Sequence, residues 1–378
     1  MKRIIAILLI LCTVFSVALA ETTVDGGAKR KIKPIPAGLN TAPDGYSPTT
    51  GLKLSDIEVP DGFAGLAATG RYMPMLVQID NCDGGINTSK NGKKSLRAPW
   101  GVEYTDAIYE APLYKNGETR LTFLFSDRIP DSVGPTRSAR VFHAWLREEW
   151  DCGFVHYGQQ EYTKTNVLKI FKETGADQKG VLFSGIAGAS KPWKKFFDKR
   201  KGIAAPHNKT VNVAAVSTLI PDEHKAANHT FLFTDDPLPE GDEAEIVNVT
   251  WGNKYYNSRL EYDEDENVYY RYMLGTPKKP VVYKDLDTDN EVTFSNIIVQ
   301  FTECEYPKVN APLPTVLGSG NADYFIGGRH EAGVWARNEL TDRTVFYDKY
   351  GEELKLLPGR TLFVIMDYNT PGRALSYE

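Results

Sequence analysis

The chain has 378 residues, of which 42% are hydrophobic, 11% aromatic and 25% charged, with a formal net charge of −5. That composition excludes a collagen-like, disordered or disulfide-stapled chain and supplies enough residues for two domains with cores of their own. The acidic balance argues against a dedicated nucleic-acid binder, which needs a basic balance or a dominant basic face.

Met1-Lys2-Arg3 precedes an apolar run from Ile4 to Leu19 and an Ala18-Leu19-Ala20 close. A basic start, a short apolar stretch and an A-x-A ending predict a secretory signal peptide, residues 1–20, cleaved after Ala20. The run falls short of the ~20 residues that span a bilayer, so no stable transmembrane anchor is expected after cleavage. The expected product is extracytoplasmic, secreted or held at the cell envelope. Losing Lys2 and Arg3 takes its charge from −5 to −7. Cys12 follows Leu9-Ile10-Leu11 and lacks the small residues that precede a lipid-accepting cysteine. Cys82, Cys152 and Cys304 remain, none in C-x-x-C spacing. One disulfide with a spare thiol and three buried thiols both stay open, while a zinc knuckle is unsupported.

Residues 21–70 read as a solvated linker, because Pro, Gly, Thr and Lys recur there without sustained periodicity. From 71 to 234 strands alternate with helices. Apolar runs at 75–79, 107–109, 121–125 and 154–157 predict strands. Phe142, Trp145, Leu146 and Trp150 form the stripe of an amphipathic helix, and further helices are expected near 163–174, 191–200 and 210–219. This half is expected to be an α/β or α+β domain. Residues 235–242, Asp-Asp-Pro-Leu-Pro-Glu-Gly-Asp, predict a hinge. Beyond it strands are expected at 244–251, 254–262, 268–274, 293–302, 322–326, 332–337, 344–347 and 361–366. Residues 243–370 therefore read as a β-rich, antiparallel domain.

Polar islands follow the strand ends of the first half, where α/β sheets place ligands. They contain Asp80-Asn81, Glu110, Arg120, Arg137-Ser138-Ala139-Arg140, His156 and His207-Asn208. Ser138 is placed to cap the following helix. Arg137 and Arg140 would then stand at the positive end of that helix, where cations are disfavoured, so something negative should compensate them. Asp80 or Glu110 could do so internally; a phosphate, carboxylate or sulfate could do so from outside.

These islands resemble the YerB-like family, bacterial extracytoplasmic proteins, often lipid-anchored, defined by a domain of unknown function with N- and C-terminal parts. The matching residues are Ile79-Asp80-Asn81, Tyr109-Glu110-Ala111-Pro112, Thr119-Arg120, Gly134-Pro135-Thr136-Arg137-Ser138-Ala139-Arg140, Val155-His156-Tyr157-Gly158 and Pro206-His207-Asn208. In the second half they are Asn296–Gln300, Gly333-Val334-Trp335 and Leu357-Pro358-Gly359-Arg360-Thr361. The resemblance covers roughly residues 70–368 and implies an α/β part followed by a β part outside the cytoplasm, with no established activity. The family's lipid-attachment cysteine is absent, and the stretch before Thr119-Arg120 is one residue longer than the family's.

Three readings of the cluster follow. Arg120, Arg137, Ser138, Arg140, His156, His207 and Asn208 could line a cleft for an anionic cell-wall polymer or small anionic ligand. Asp80 or Glu110 could serve as acid or base of an envelope-polymer hydrolase, with His156 or His207 assisting. The cluster could also be a buried ion-pair network that clamps the fold. No metal and no cofactor is expected, since the histidines lack ligand spacing. The basic, aromatic run 191–201 could rest on teichoic acid, lipid headgroups or nucleic acid, and reads more simply as a core-facing stripe with solvated lysines.

Overall fold

In the computed structural model, residues 21–81, 87–88, 94–95, 99–275 and 280–378 are described. The expected signal peptide and Cys82 lie outside the described residues. β1 (Thr22–Val24) stands alone near the start, followed by β2 (Met75–Asp80), β3 (Ala107–Pro112) and β4 (Thr119–Phe125). Then come α1 (Val141–Trp150), β5 (Gly153–His156), α2 (Val167–Glu173) and β6 (Leu182–Ser184). A 3-10 turn over Pro192–Phe196 leads to β7 (Phe197–Lys199), β8 (Lys209–Val211) and α3 (Val213–Ser217). The rest is strand: β9 (Asp242–Glu243), β10 (Ile246–Trp251), β11 (Ser258–Asp263), β12 (Val268–Met273) and β13 (Asn296–Thr302). β14 (Gly318–Ile326), β15 (Arg329–Arg337), β16 (Val345–Tyr347), β17 (Thr361–Asp367) and β18 (Arg373–Tyr377) complete the chain.

An eleven-stranded sheet runs in the order β6-β5-β2-β4-β3-β17-β13-β14-β15-β9, with β16 also on β15. Its middle strands are buried on both faces, which is why Met75-Leu76-Val77-Gln78-Ile79 reads as a continuous apolar run rather than an alternation. Alternate side chains still divide between two cores. Met75, Val77, Ile79, Ile108, Phe123, Ile297 and Val364 enter one of them. That core is closed by Val247, Val249, Trp251, Leu260, Tyr269 and Leu375 of a second, seven-stranded sheet, β1-β18-β10-β11-β12 and two short strands. Leu76, Tyr109, Leu124, Ile298 and Phe363 enter the other core, against Phe142, Leu146 and Trp150 of α1 and Phe171 of α2.

The architecture is mostly β, and three expectations are corrected. Helix in the first half is short: 163–174 yields α2, 210–219 yields the five-residue α3, and 191–200 yields the 3-10 turn and β7. Pro192 starts the turn, where its missing N–H costs nothing, and the turn ends where Phe197–Lys199 pairs with β8. The second half is not purely antiparallel, because β13 and β17 pair in parallel from Asn296↔Thr361 to Thr302↔Asp367. The expected linker is partly strapped down. β1 pairs with β18, and Arg30 reaches Asp323 at 2.5 Å and the Gly333 carbonyl at 2.9 Å. Its glycines are used there too, since a Cβ on Gly26 would fall on the Phe301 ring.

One sheet crosses the expected 235–242 boundary. β3 pairs in parallel with β17, Ala107↔Thr361 through Glu110↔Val364, so the two halves share their central strands. Within the boundary itself Leu238 is buried, and β9 pairs with β15.

Candidate functional site

The pleat decides which polar residues meet. Asp80 lies on the Leu76 face of β2, directly opposite Arg120 of β4 in the antiparallel register. After β4 the chain returns along the end of β2: the Asp80 N–H donates to the Pro135 carbonyl and the Arg137 N–H to the Gln78 carbonyl, both at 2.9 Å. Arg137 is thereby set beside Asp80. The loop before β8 adds His207. Asp80 thus has Arg137 Nε at 3.3 Å, Arg120 at 3.8 Å, and an Nδ1–H donor from His207 at 2.5 Å.

Burial works against the charge on Asp80, which is 6% exposed, but the His207 hydrogen bond and the Arg120 and Arg137 guanidiniums outweigh it and hold the carboxyl below its usual range. Burial lowers Arg120 to about 10. Arg140 is also lowered by burial, and then by Arg137; among the described residues it donates only to the Ser138 and Ala139 carbonyls, at 3.4 and 3.2 Å, and its Nε has no partner. Among the described residues, Arg120, Arg137 and His207 therefore share a single carboxylate, and Arg140 pairs with none.

Several expected members sit elsewhere. Ser138 does not cap α1: its hydroxyl donates to the Tyr157 carbonyl at 3.1 Å, and the helix begins at Arg140, whose N–H is accepted by His143 Nδ1 at 2.9 Å. That bond places the neutral His143 proton on Nε2, a buried atom without a partner among the described residues. Burial, then the Arg120 and Arg140 charges, hold its pKa well below the normal histidine value. His156 donates from Nδ1 to the Gly158 carbonyl at 2.7 Å, and burial drops its pKa to about 4. It lines a groove of about 300 Å³ with Gln159, Leu168, Phe171, Leu182 and Ser184, none of them an arginine. Asn208 is buried beside His207, its carbonyl accepting the Arg200 N–H at 2.7 Å and its side-chain Oδ1 unpartnered among the described residues.

Glu110 belongs to the opposite face. It is on the Ile108 side of β3, facing the second sheet, where it ion-pairs with Arg271 of β12 and accepts from Thr119 at 2.7 Å and Asn81 at 3.1 Å. Asp80 and Glu110 are thus not a carboxylate couple across one substrate. The sequence reading missed Arg271, although alternation along β12 puts it in phase with buried Tyr269 and Met273. An arginine in the buried phase of a strand needs an acid across the core.

Cys152 and Cys304 are buried free thiols, each pushed up to about 12 by burial. Among the described residues no helix is long and apolar enough to cross a membrane.

A mixed central sheet shared by two sequence halves and covered by a second sheet, with an arginine cluster at one strand end, defines a two-part protein built on one shared sheet. The chain belongs to the DUF3048 family of proteins of unknown function: residues 71–226 match its N-terminal domain and 247–363 its C-terminal domain. It is similar to "Putative lipoprotein YerB" of Bacillus subtilis (strain 168), 26% identical over 216 residues, which are 55% of this chain and 59% of that protein. The crystal structure of the Bacillus subtilis YerB protein has the same fold, with a TM-score of 0.64 at 20% identity over 87% of this chain and 99% of the other.

Proposed function

We propose that the protein is an extracytoplasmic, envelope-associated anion binder whose site is built from Arg120, Arg137, Arg140 and His207, with Asn208 at its margin. One observation carries the reading: among the described residues Arg120, Arg137 and His207 converge on one carboxylate, Asp80, and Arg140 pairs with no acid. A largely buried guanidinium is costly without a counter-charge, and a phosphate or carboxylate group offers bidentate acceptors for it. The signal-peptide pattern at residues 1–20 and the lipoprotein name of the YerB relative support the location. A hydrolase pairing Asp80 with Glu110 is disfavoured by their positions on opposite sheet faces.

Thermal unfolding with inorganic phosphate tests the site. At ten times Kd the wild type should gain ~1.4 kcal/mol, about 2 °C in Tm. Arg140→Gln should abolish that gain without lowering the phosphate-free Tm, because it removes an unpaired cation. No phosphate-dependent shift in the wild type overturns the proposal and leaves the ion-pair clamp as the reading.

A further inference from the structure

We infer that the arginine site is the recessed end of a longer track for a linear polyanion, a flexible chain of repeated phosphate or carboxylate charges. The inference rests on the anion-binding reading above and extends it to a substrate class. Residues 191–209 carry Lys191, Lys194, Lys195, Lys199, Lys201 and Lys209 against one carboxylate, Asp198. Among the described residues none of these lysines has an acid within salt-bridge distance, whereas Arg200 of the same run is paired with Asp287.

The fold lays this run against the arginines. The Tyr157 N–H donates to the Arg137 carbonyl and the Thr136 N–H to the Lys209 carbonyl, both at 2.8 Å, while β7 and β8 place Lys199 opposite Lys209. The Tyr157 ring then receives two ammonium groups, Lys209 Nζ at 4.9 Å and Lys194 Nζ at 5.6 Å from its centroid. Lys195 is held over Phe196 at 5.0 Å and Lys191 over Trp193 at 5.4 Å. Cation–π contacts of this kind hold the ammonium heads in place without neutralising them. The surface is thus a fixed array of positive charge leading to Arg137, on a chain that is acidic overall.

The shape favours a thread over a bilayer. Trp193, Phe196 and Phe197 are half-buried against the core, so this face offers charge rather than insertable apolar side chains. Asp80 and Arg120 are recessed at 6% and 2% exposure, out of reach of a plane of headgroups, while the Arg137 side chain beside them stays 25% exposed for one group of a flexible chain to reach.

Fluorescence polarisation with labelled long-chain polyphosphate, run as a salt titration, tests the track. Wild type should bind it at least about tenfold tighter than inorganic phosphate, with a steep salt dependence. Substituting exposed lysines as Lys195→Gln/Lys199→Gln/Lys201→Gln should cost about tenfold and flatten the log–log salt slope by about 2, at ~0.7 per lost contact. The same triple variant should keep the phosphate-induced Tm shift that Arg140→Gln loses. Unchanged polyphosphate binding in the triple variant overturns the track alone. Absence of any phosphate shift in the wild type overturns the site beneath it. Tight binding to phosphatidylglycerol vesicles that polyphosphate cannot displace also overturns the track, in favour of a membrane surface.

Discussion

Asp80 is the residue on which the cluster balances. Asp80→Asn would leave the Arg120 and Arg137 guanidiniums around a neutral amide, and breaking a buried pair in this way costs ~3–5 kcal/mol. Added phosphate should restore part of that loss, visible as a larger phosphate-induced gain in urea midpoint than the wild type shows. Asp106 presents the opposite case. Burial, and then the neighbouring Asp127 charge, raise it to about 8, although it accepts from the backbone and hydroxyl of Ser126. A carboxyl whose folded pKa lies above its unfolded one stabilises the protein while protonated in the fold. Its contribution is complete below the ordinary carboxylate range and drains away as pH rises toward about 8. Asp80, held low, stabilises above that range and loses its contribution only as pH falls through its folded pKa. Urea unfolding at pH 5 and pH 8.5 should therefore show the wild type weakening at the higher pH, and Asp106→Asn should flatten the difference. Equal stability at both values would refute the assignment.

At the scale of elements, the second sheet is riveted to the first by Arg271 and Glu110, with the Arg271 guanidinium also 5.3 Å from the Tyr283 ring centroid. Glu110→Gln and Arg271→Met should each lose several kcal/mol, roughly 3–5 on the scale of broken buried pairs. The double variant should lose much less than their sum, and a strictly additive cycle would show that the pair is not coupled. Much of this level was legible in the amino acids. Every strand expected beyond residue 243 forms, because alternation such as that of 246–251 records one covered face directly. The helix at 141–150 was legible from Phe142, Leu146 and Trp150 for the same reason. The partner across each face was not, since periodicity reports burial but not what causes it. Asp80 and Glu110 look equivalent as acids after strand starts; only the register of β2, β3 and β4 sends them to different cores. Ser138 looked like a cap because its residue type fits, yet His143, three residues into the helix, accepts the N–H instead.

For the molecule as a whole, the strap of residues 22–35 is the least legible part. Its Gly, Pro and Lys content matches that of a spacer, and its anchoring depends on features far away in sequence: β18, Phe301, and Asp323 with its second partner His330 at 2.5 Å. Gly26→Leu should displace the strap from Phe301 and lower Tm by several degrees, and protease sensitivity near residue 30 should rise with it. A variant as protease-resistant as the wild type would show that the strap is held without that contact. The parallel pairing of β3 with β17 has a consequence in time. A chain that appears N-terminus first, at a ribosome or across a membrane, has β3 in hand long before Thr361 exists to lie beside Ala107. Until then β3 offers an open, apolar edge of the kind that recruits other strands, and such distant pairings form slowly. The first family-matched part must wait for the second, so a lineage that inherited either one alone would receive half a sheet rather than a smaller protein.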